Sequence, residues 1–180
     1  MDPIIIPQNT LVLLCGPAGC GKSTFAAKHF LPTQVVSSDG CRAMVSDDAT
    51  NQKVSGHAFD LFYFIIEKRL LLRRLTVADA TSLKREDRKP LVRTARWFGF
   101  KTAIIAFNTS LETCLARNRK RGRVVPEDAL RSQYELFEKT LVSINHERLD
   151  KVYIIDEADQ NTALVEIVAP VNQRRTRDSA

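Results

Sequence analysis

The stretch at 11–24, LVLLCGPAGCGKST, constrains the fold of this chain more than any other part of it. It begins with four consecutive apolar residues, continues into a glycine-rich turn, and is followed by good helix formers. Such a turn can serve packing alone, but a buried strand before it and a helix after it are the context that phosphate binding requires. The phosphate-loop spacing G-x-x-x-x-G-K-[ST] is met by Gly16, Gly21, Lys22 and Ser23.

The chemistry of this loop predicts a nucleotide site. Glycines let the backbone approach a ligand closely, and the loop N–H groups and the helix N-terminus then point at phosphate oxygens. Lys22 is placed to reach the β- and γ-phosphates of ATP or another NTP, and the Ser23 hydroxyl to bind Mg²⁺. The predicted nucleotide-binding residues of the loop are Gly16, Gly19, Cys20, Gly21, Lys22, Ser23 and Thr24.

Apolar strands alternate with helical segments along the whole chain. Strands are predicted at 4–6, 10–15, 34–37, 75–78, 101–107 and 151–156, and helices at 23–30, 51–73, 85–98, 111–119, 126–144 and 158–168. This alternation predicts an α/β fold of the P-loop NTPase and kinase type, with a mostly parallel central sheet and helices on both faces.

Length and composition suit one such domain. The chain has 180 residues, of which 44% are hydrophobic, and it carries a net charge of +6, which is compatible with a polyanionic partner. We expect a single domain at 1–170 and a polar tail or linker at 171–180. The N-terminus has no signal-peptide pattern, and no stretch is long and apolar enough to span a membrane, so a cytoplasmic protein is expected.

Three acidic residues, Asp39, Asp79 and Asp156, follow apolar strands, where ligands of parallel sheets bind. Asp39 could accept a hydroxyl proton and orient that hydroxyl for attack on a γ-phosphate; alternatively it caps the helix that follows. Asp79 could hold a Mg²⁺-bound water or a substrate hydroxyl, or it could be a turn residue. Asp156 is interpreted as a turn residue.

Arginines supply the remaining candidates. Arg42 lies one helical turn beyond Asp39, where its guanidinium could bind an acceptor phosphate, or it could be a solvated surface residue. Five basic residues stand within seven positions after the 101–107 strand: Arg117, Arg119, Lys120, Arg121 and Arg123. Such a run is often only a solvated face, but it joins two predicted helices where small kinases have a mobile lid.

Four segments together resemble a known family. GPAGCGKST, SSDGCR, ADAT and ARNRKR are similar to the kinase module of bacterial polynucleotide kinase-phosphatases and, more distantly, to phage polynucleotide kinase, over about residues 8–168. The resemblance implies a helical arginine-bearing lid and assigns Asp39 as the general base. It implies that Arg42 grips the phosphate next to the acceptor hydroxyl, and that Arg117 and Arg121 contact the donor phosphates. Ser82 departs from the family, which often has Asn after Asp-Ala-Thr.

The function implied by this resemblance is transfer of the γ-phosphate of ATP, with Mg²⁺, to the 5′-hydroxyl end of DNA or RNA. That reaction prepares ends for nucleic-acid repair and ligation, and the resemblance is compatible with fusion to, or association with, phosphatase or ligase modules. The alternative is a P-loop kinase of a small molecule such as a nucleoside, sugar or antibiotic. A GTPase switch is disfavoured because neither N-K-x-D nor D-x-x-G follows the loop.

Overall fold

The computed structural model describes residues 2–170, so the predicted tail at 171–180 lies outside the described residues. The strands of this part of the chain are β1 (Ile4–Pro7), β2 (Thr10–Cys15), β3 (Val35–Ser37), β4 (Thr76–Asp79), β5 (Lys101–Asn108), β6 (Lys151–Asp156) and β7 (Val165–Val168). Its α-helices are α1 (Lys22–His29), α2 (Ser38–Ser46), α3 (Ser55–Leu71), α4 (Arg85–Trp97), α5 (Leu111–Arg119) and α6 (Glu127–Ser143).

Five strands form the central sheet in the order β3-β4-β2-β5-β6, and every neighbouring pair is parallel. Strand β2 is buried along its whole length, as a central strand covered on both faces must be. Its side chains alternate: Val12 and Leu14 join one hydrophobic core, whereas Leu11 and Leu13 join the core on the opposite face. The α/β fold with a parallel sheet and helices on both faces is therefore confirmed.

Local sequence explains where several helices begin and which face they bury. The Ser37 hydroxyl accepts a hydrogen bond from the Gly40 amide and caps α2, and Ser110 caps α5 in the same way through the Thr113 amide. Helix α3 buries one stripe that repeats every four residues: Ala58, Phe62, Ile66 and Leu70.

The predicted helix at 158–168 is wrong. A short 3₁₀ turn (Glu157–Asp159) is followed by β7, which pairs in parallel with β1 in a separate two-stranded sheet. Four residues, Val-Glu-Ile-Val, are too few for periodicity to separate a strand from a helix, and their partner strand lies at the other end of the chain. The helix predicted at 51–73 is shorter in the structure, since α3 begins at Ser55 after a 3₁₀ turn.

Within the described residues, no helix is both long and apolar enough to cross a membrane. The four cysteines are buried free thiols, and burial raises the pKa of Cys15 and of Cys114 to about 12. These two thiols are therefore protonated and unreactive at neutral pH.

Candidate active site

A cleft of about 1050 Å³ opens at the carboxyl edge of the central sheet. Because β2, β3 and β4 are parallel neighbours, the segments that follow them meet at this edge. Residues from widely separated parts of the chain line the cleft, among them Gly19, Gly21, Lys22, Ser23, Thr24, Asp39, Arg42, Asp79, Arg117, Arg121 and Arg123. The structure thus brings together most of the residues that the sequence predicts for the site.

The glycine-rich loop is held closely against its surroundings. Gly19 has a φ of +81°, and a Cβ there would overlap the carbonyl oxygen of Cys114 on α5, so this position requires glycine. The Ala18 amide donates to Gln133 Oε1 of α6 at 2.9 Å. Cys20 is fully buried, backbone included, and does not line the cleft, so the structure does not place it beside the other predicted nucleotide-binding residues.

Lys22 begins α1 and is 8% exposed. Its ammonium Nζ donates to the carbonyl oxygens of Gly16 and Pro17, both at 2.8 Å. These two bonds hold the charge of Lys22 within the loop that would surround the nucleotide phosphates. Gly16 is thus a support for the lysine rather than part of the cleft surface.

Ser23 and Asp79 form the second feature of the site. The Ser23 hydroxyl donates to Asp79 Oδ2 at 2.8 Å, although the two residues are 56 positions apart in the chain. Burial raises the pKa of Asp79, and the charge of Lys22 and the hydrogen bond from Ser23 oppose that rise only in part. The sequence left the role of Asp79 open between ion binding and a turn, and its contact with Ser23 places it beside the end of the glycine-rich loop.

This pair fits Mg²⁺, which binds few protein oxygens and completes its shell with phosphates and water. A P-loop hydroxyl and a carboxylate at a strand end are the protein ligands typical of that ion in P-loop enzymes. Among residues 2–170, no cluster of three or more His, Cys, Asp or Glu side chains could hold a metal ion. Ser23 and Asp79 would therefore hold it together with the nucleotide.

The segment after β4 is fixed through its backbone. The Gly16 amide donates to Thr81 O at 3.1 Å, and the Cys15 thiol donates to Ser82 O at 3.2 Å. Arg88, which is 1% exposed, donates to the same Ser82 carbonyl at 2.6 Å and pairs with Glu147. Ser82, where the sequence departs from the family pattern, is 4% exposed and contributes a carbonyl that ties this segment to the end of β2.

Asp39 lies in the first turn of α2, and two arginines contact one oxygen of its carboxylate. Arg42 Nη1 donates to Oδ1 from the next turn, and Arg123 Nη1 donates to the same atom at 2.9 Å. Burial raises the pKa of Asp39, but the hydrogen bonds and charges of the two arginines outweigh burial and hold this pKa below its usual range. Asp39 is therefore ionised at neutral pH. Arg42 is 6% exposed, so it is not the solvated surface residue of the alternative interpretation.

Side chains of the basic run reach different parts of the cleft. Arg117 Nη1 donates to Gln160 Oε1 at 3.1 Å beside Gly21, and Arg121 lines the cleft near enough for its charge to act on Asp79. Arg123 instead reaches Asp39, a contact that the sequence does not predict. Arg119 points away and pairs with Glu127.

Sequence reasoning missed two polar side chains behind the loop. Gln160 Nε2 donates to Thr109 Oγ1 at 2.6 Å, and Thr109 Oγ1 donates to the Cys20 carbonyl at 2.9 Å. This chain of bonds links Arg117 to the glycine-rich loop. Thr109 follows β5 and Gln160 follows β6. Ligands of parallel sheets bind beyond the carboxyl ends of the strands, so this rule could have identified both residues.

The fold and the glycine-rich loop together define a P-loop nucleotide-binding protein. The chain belongs to the AAA domain family, whose model matches residues 11–140.

Several solved structures have a similar fold. A gluconokinase from Sinorhizobium meliloti 1021 is 19% identical with a TM-score of 0.52, over 84% of this chain and 85% of that one. A shikimate kinase from Bacteroides thetaiotaomicron is 14% identical with a TM-score of 0.52, over 85% and 93%. A chain of the Pnkp1/Rnl/Hen1 complex is 20% identical with a TM-score of 0.53, over 66% of this chain and 42% of that one. At these identities the similarity shows a shared fold.

Proposed function

We propose that this protein transfers the γ-phosphate of ATP to the 5′-hydroxyl end of a nucleic acid, with residues 1–170 as the kinase domain. The observation that carries the proposal is the position of Asp39. It is an ionised carboxylate beside the buried Arg42, in the same cleft as Lys22 and the Ser23–Asp79 pair. An acceptor that carries both a hydroxyl and a neighbouring phosphate would match this arrangement.

The reaction follows from these side chains. The 5′-hydroxyl oxygen forms a bond to the γ-phosphorus, and the bond from that phosphorus to the β–γ bridging oxygen breaks, so that ADP leaves with the electron pair. The hydroxyl proton passes to Asp39, which also orients the hydroxyl in line with the leaving oxygen. Lys22 stabilises the charge on the β- and γ-phosphate oxygens in a site sheltered from water.

Bound Mg²⁺ would neutralise charge on the β- and γ-phosphate oxygens. Ser23 and Asp79 would hold it, and their hydrogen bond at 2.8 Å already brings their oxygens together. Arg117 and Arg121 are proposed to contact the donor phosphates. Both line the cleft, Arg117 beside Gly21 and Arg121 near Asp79.

Two observations favour a nucleic-acid acceptor. The net charge is +6, which favours a polyanionic partner. In the cleft, the guanidiniums of Arg42 and Arg123 both contact Asp39, so positive charge exceeds negative charge there. The fold shared with a chain of the Pnkp1/Rnl/Hen1 complex agrees with this proposal and with a place beside other end-processing modules. The second candidate function is phosphorylation of a small hydroxy acid. The folds shared with a gluconokinase and a shikimate kinase favour it, and the carboxylate of such an acceptor could also bind arginine.

One assay separates the two candidates. The protein is incubated with γ-labelled ATP and Mg²⁺ and, in parallel, a 5′-hydroxyl DNA or RNA oligonucleotide, adenosine 3′-phosphate, adenosine, gluconate or shikimate. We expect label on the oligonucleotides and on adenosine 3′-phosphate, and little on adenosine. Label on gluconate or shikimate but on no nucleotide would refute the nucleic-acid proposal and leave the small-molecule kinase.

A further inference from the structure

Arg123 lies beside Asp39 in the cleft, although it belongs to the basic run between α5 and α6. Its Nη1 donates to Asp39 Oδ1 at 2.9 Å and to the carbonyl oxygen of Ala49 at 3.2 Å. Arg42 Nη1 reaches the same two oxygens, with 3.4 Å to Ala49. Two guanidiniums from distant parts of the chain therefore converge on one point beside Asp39.

The charges at this point are not balanced. Two positive side chains face one carboxylate, and the side chains of Arg42 and Arg123 are only 7% and 25% exposed. Asp48 is also near Arg123, but it is exposed and is bonded chiefly to Thr50. In addition, the buried Nε of Arg42 has no hydrogen-bond partner within the described residues. A second anion bound between the two guanidiniums would balance the charge.

The fold holds Arg123 in this position. Asn118, which is 2% exposed, donates through Nδ2 to Val125 O at 2.7 Å and accepts from the Val125 amide at 3.0 Å. These two bonds tie the end of the basic segment back to α5, two residues beyond Arg123. Arg119, in the same segment, is 69% exposed and pairs with Glu127 instead of lining the cleft.

We infer that Arg123 is a second acceptor-binding residue, which together with Arg42 holds the phosphate next to the reacting hydroxyl. The inference rests on the proposed phosphoryl transfer and names which arginine of the lid serves the acceptor. When the acceptor binds, Arg123 exchanges Asp39 for the acceptor phosphate. Asp39 Oδ1 then keeps one arginine hydrogen bond, from Arg42, instead of two, so the carboxylate takes the hydroxyl proton more readily. The planar fork of each guanidinium matches two phosphate oxygens.

The test compares acceptors in one variant. In Arg123→Ala we expect the KM for adenosine 3′-phosphate to rise about 10- to 150-fold, the range expected for one charge-assisted hydrogen bond. The KM for ATP and the KM for adenosine should stay close to wild type, because neither compound offers the acceptor phosphate that Arg123 binds. Arg123→Lys should restore the acceptor KM only in part, since lysine lacks the fork. Arg119→Ala is the matched control, and it should leave all three values unchanged.

Other outcomes would overturn the inference. A raised KM for ATP with an unchanged KM for adenosine 3′-phosphate would make Arg123 a donor-side residue. If all three KM values were unchanged, or if transfer to every acceptor became faster, Arg123 would not bind the acceptor. Its contact with Asp39 would then occur only in the free protein. If the wild type labels gluconate and no nucleotide, the nucleic-acid proposal fails, and the same comparison with gluconate decides the role of Arg123. If it labels none of these acceptors, both proposals fail.

Discussion

The buried ion pair between Arg88 and Glu147 supports the segment that follows Asp79, and removing one partner gives a quantitative prediction. The side chains are 1% and 9% exposed, and Arg88 Nε donates to Glu147 Oε2 at 3.0 Å. In Glu147→Leu the guanidinium stays buried without its counter-charge. Breaking a buried pair in this way costs about 3–5 kcal/mol. For a domain of this size, that corresponds to a fall in Tm of about 6–20 °C.

The double variant Arg88→Met/Glu147→Leu should be more stable than Glu147→Leu alone. It leaves no buried charge at this position. The two carbonyls to which Arg88 donates hydrogen bonds, those of Ser82 and Leu83, keep other donors. Ser82 O still accepts from the Cys15 thiol at 3.2 Å, and Leu83 O from the Thr140 hydroxyl at 2.6 Å. Replacing a whole buried pair by apolar side chains is often neutral or stabilising.

The assay is equilibrium unfolding in urea, followed by circular dichroism, with thermal melts of the same proteins. Glu138→Leu, on the exposed face of α6, is the matched control and should change the free energy of unfolding little. If the free energy of unfolding of Glu147→Leu fell by less than about 1 kcal/mol, the pair would not be the buried support described above. A double variant less stable than the single one would refute the argument that the remaining donors suffice.

Three further predictions concern the reaction. Lys22→Ala should abolish phosphoryl transfer, because the positive charge at the β- and γ-phosphates is lost; wild-type turnover in a labelled-phosphate assay would contradict the P-loop assignment. Asp39→Asn keeps the shape of the side chain but not the base, so kcat should fall at least about 10²-fold while ATP affinity, measured by titration, changes little. If affinity and kcat fell together, Asp39 would be structural. Burial raises the pKa of Asp39, but the two arginines lower this pKa by more than burial raises it. Arg42→Ala should therefore raise the pKa of Asp39 and shift the acid limb of the kcat/KM profile to higher pH. An unmoved limb would show that Asp39 is not the titrating group.

The local structural units of this protein can be predicted from short stretches of its sequence. The apolar run at 11–14, the glycines and Lys22 specify a buried strand, a turn and a helix through contacts between near neighbours in the chain. The helix predicted at 111–119 has the same bounds in the structure. Asp39 was identified because it follows an apolar strand, and the parallel sheet puts that strand end at the cleft.

Other features depend on partners that are distant in the chain, and short stretches of sequence do not predict them. The segment Val165–Val168 becomes a strand because β1 supplies its backbone hydrogen-bond partners, and its own four residues carry no reliable periodicity. Ser23 meets Asp79 across 56 positions, and Arg123 meets Asp39 across 84. The sequence shows that Arg123 is basic, but not which carboxylate it faces. That choice depends on how the segment between α5 and α6 crosses the sheet edge, which is set by packing and by the bonds of Asn118 to Val125.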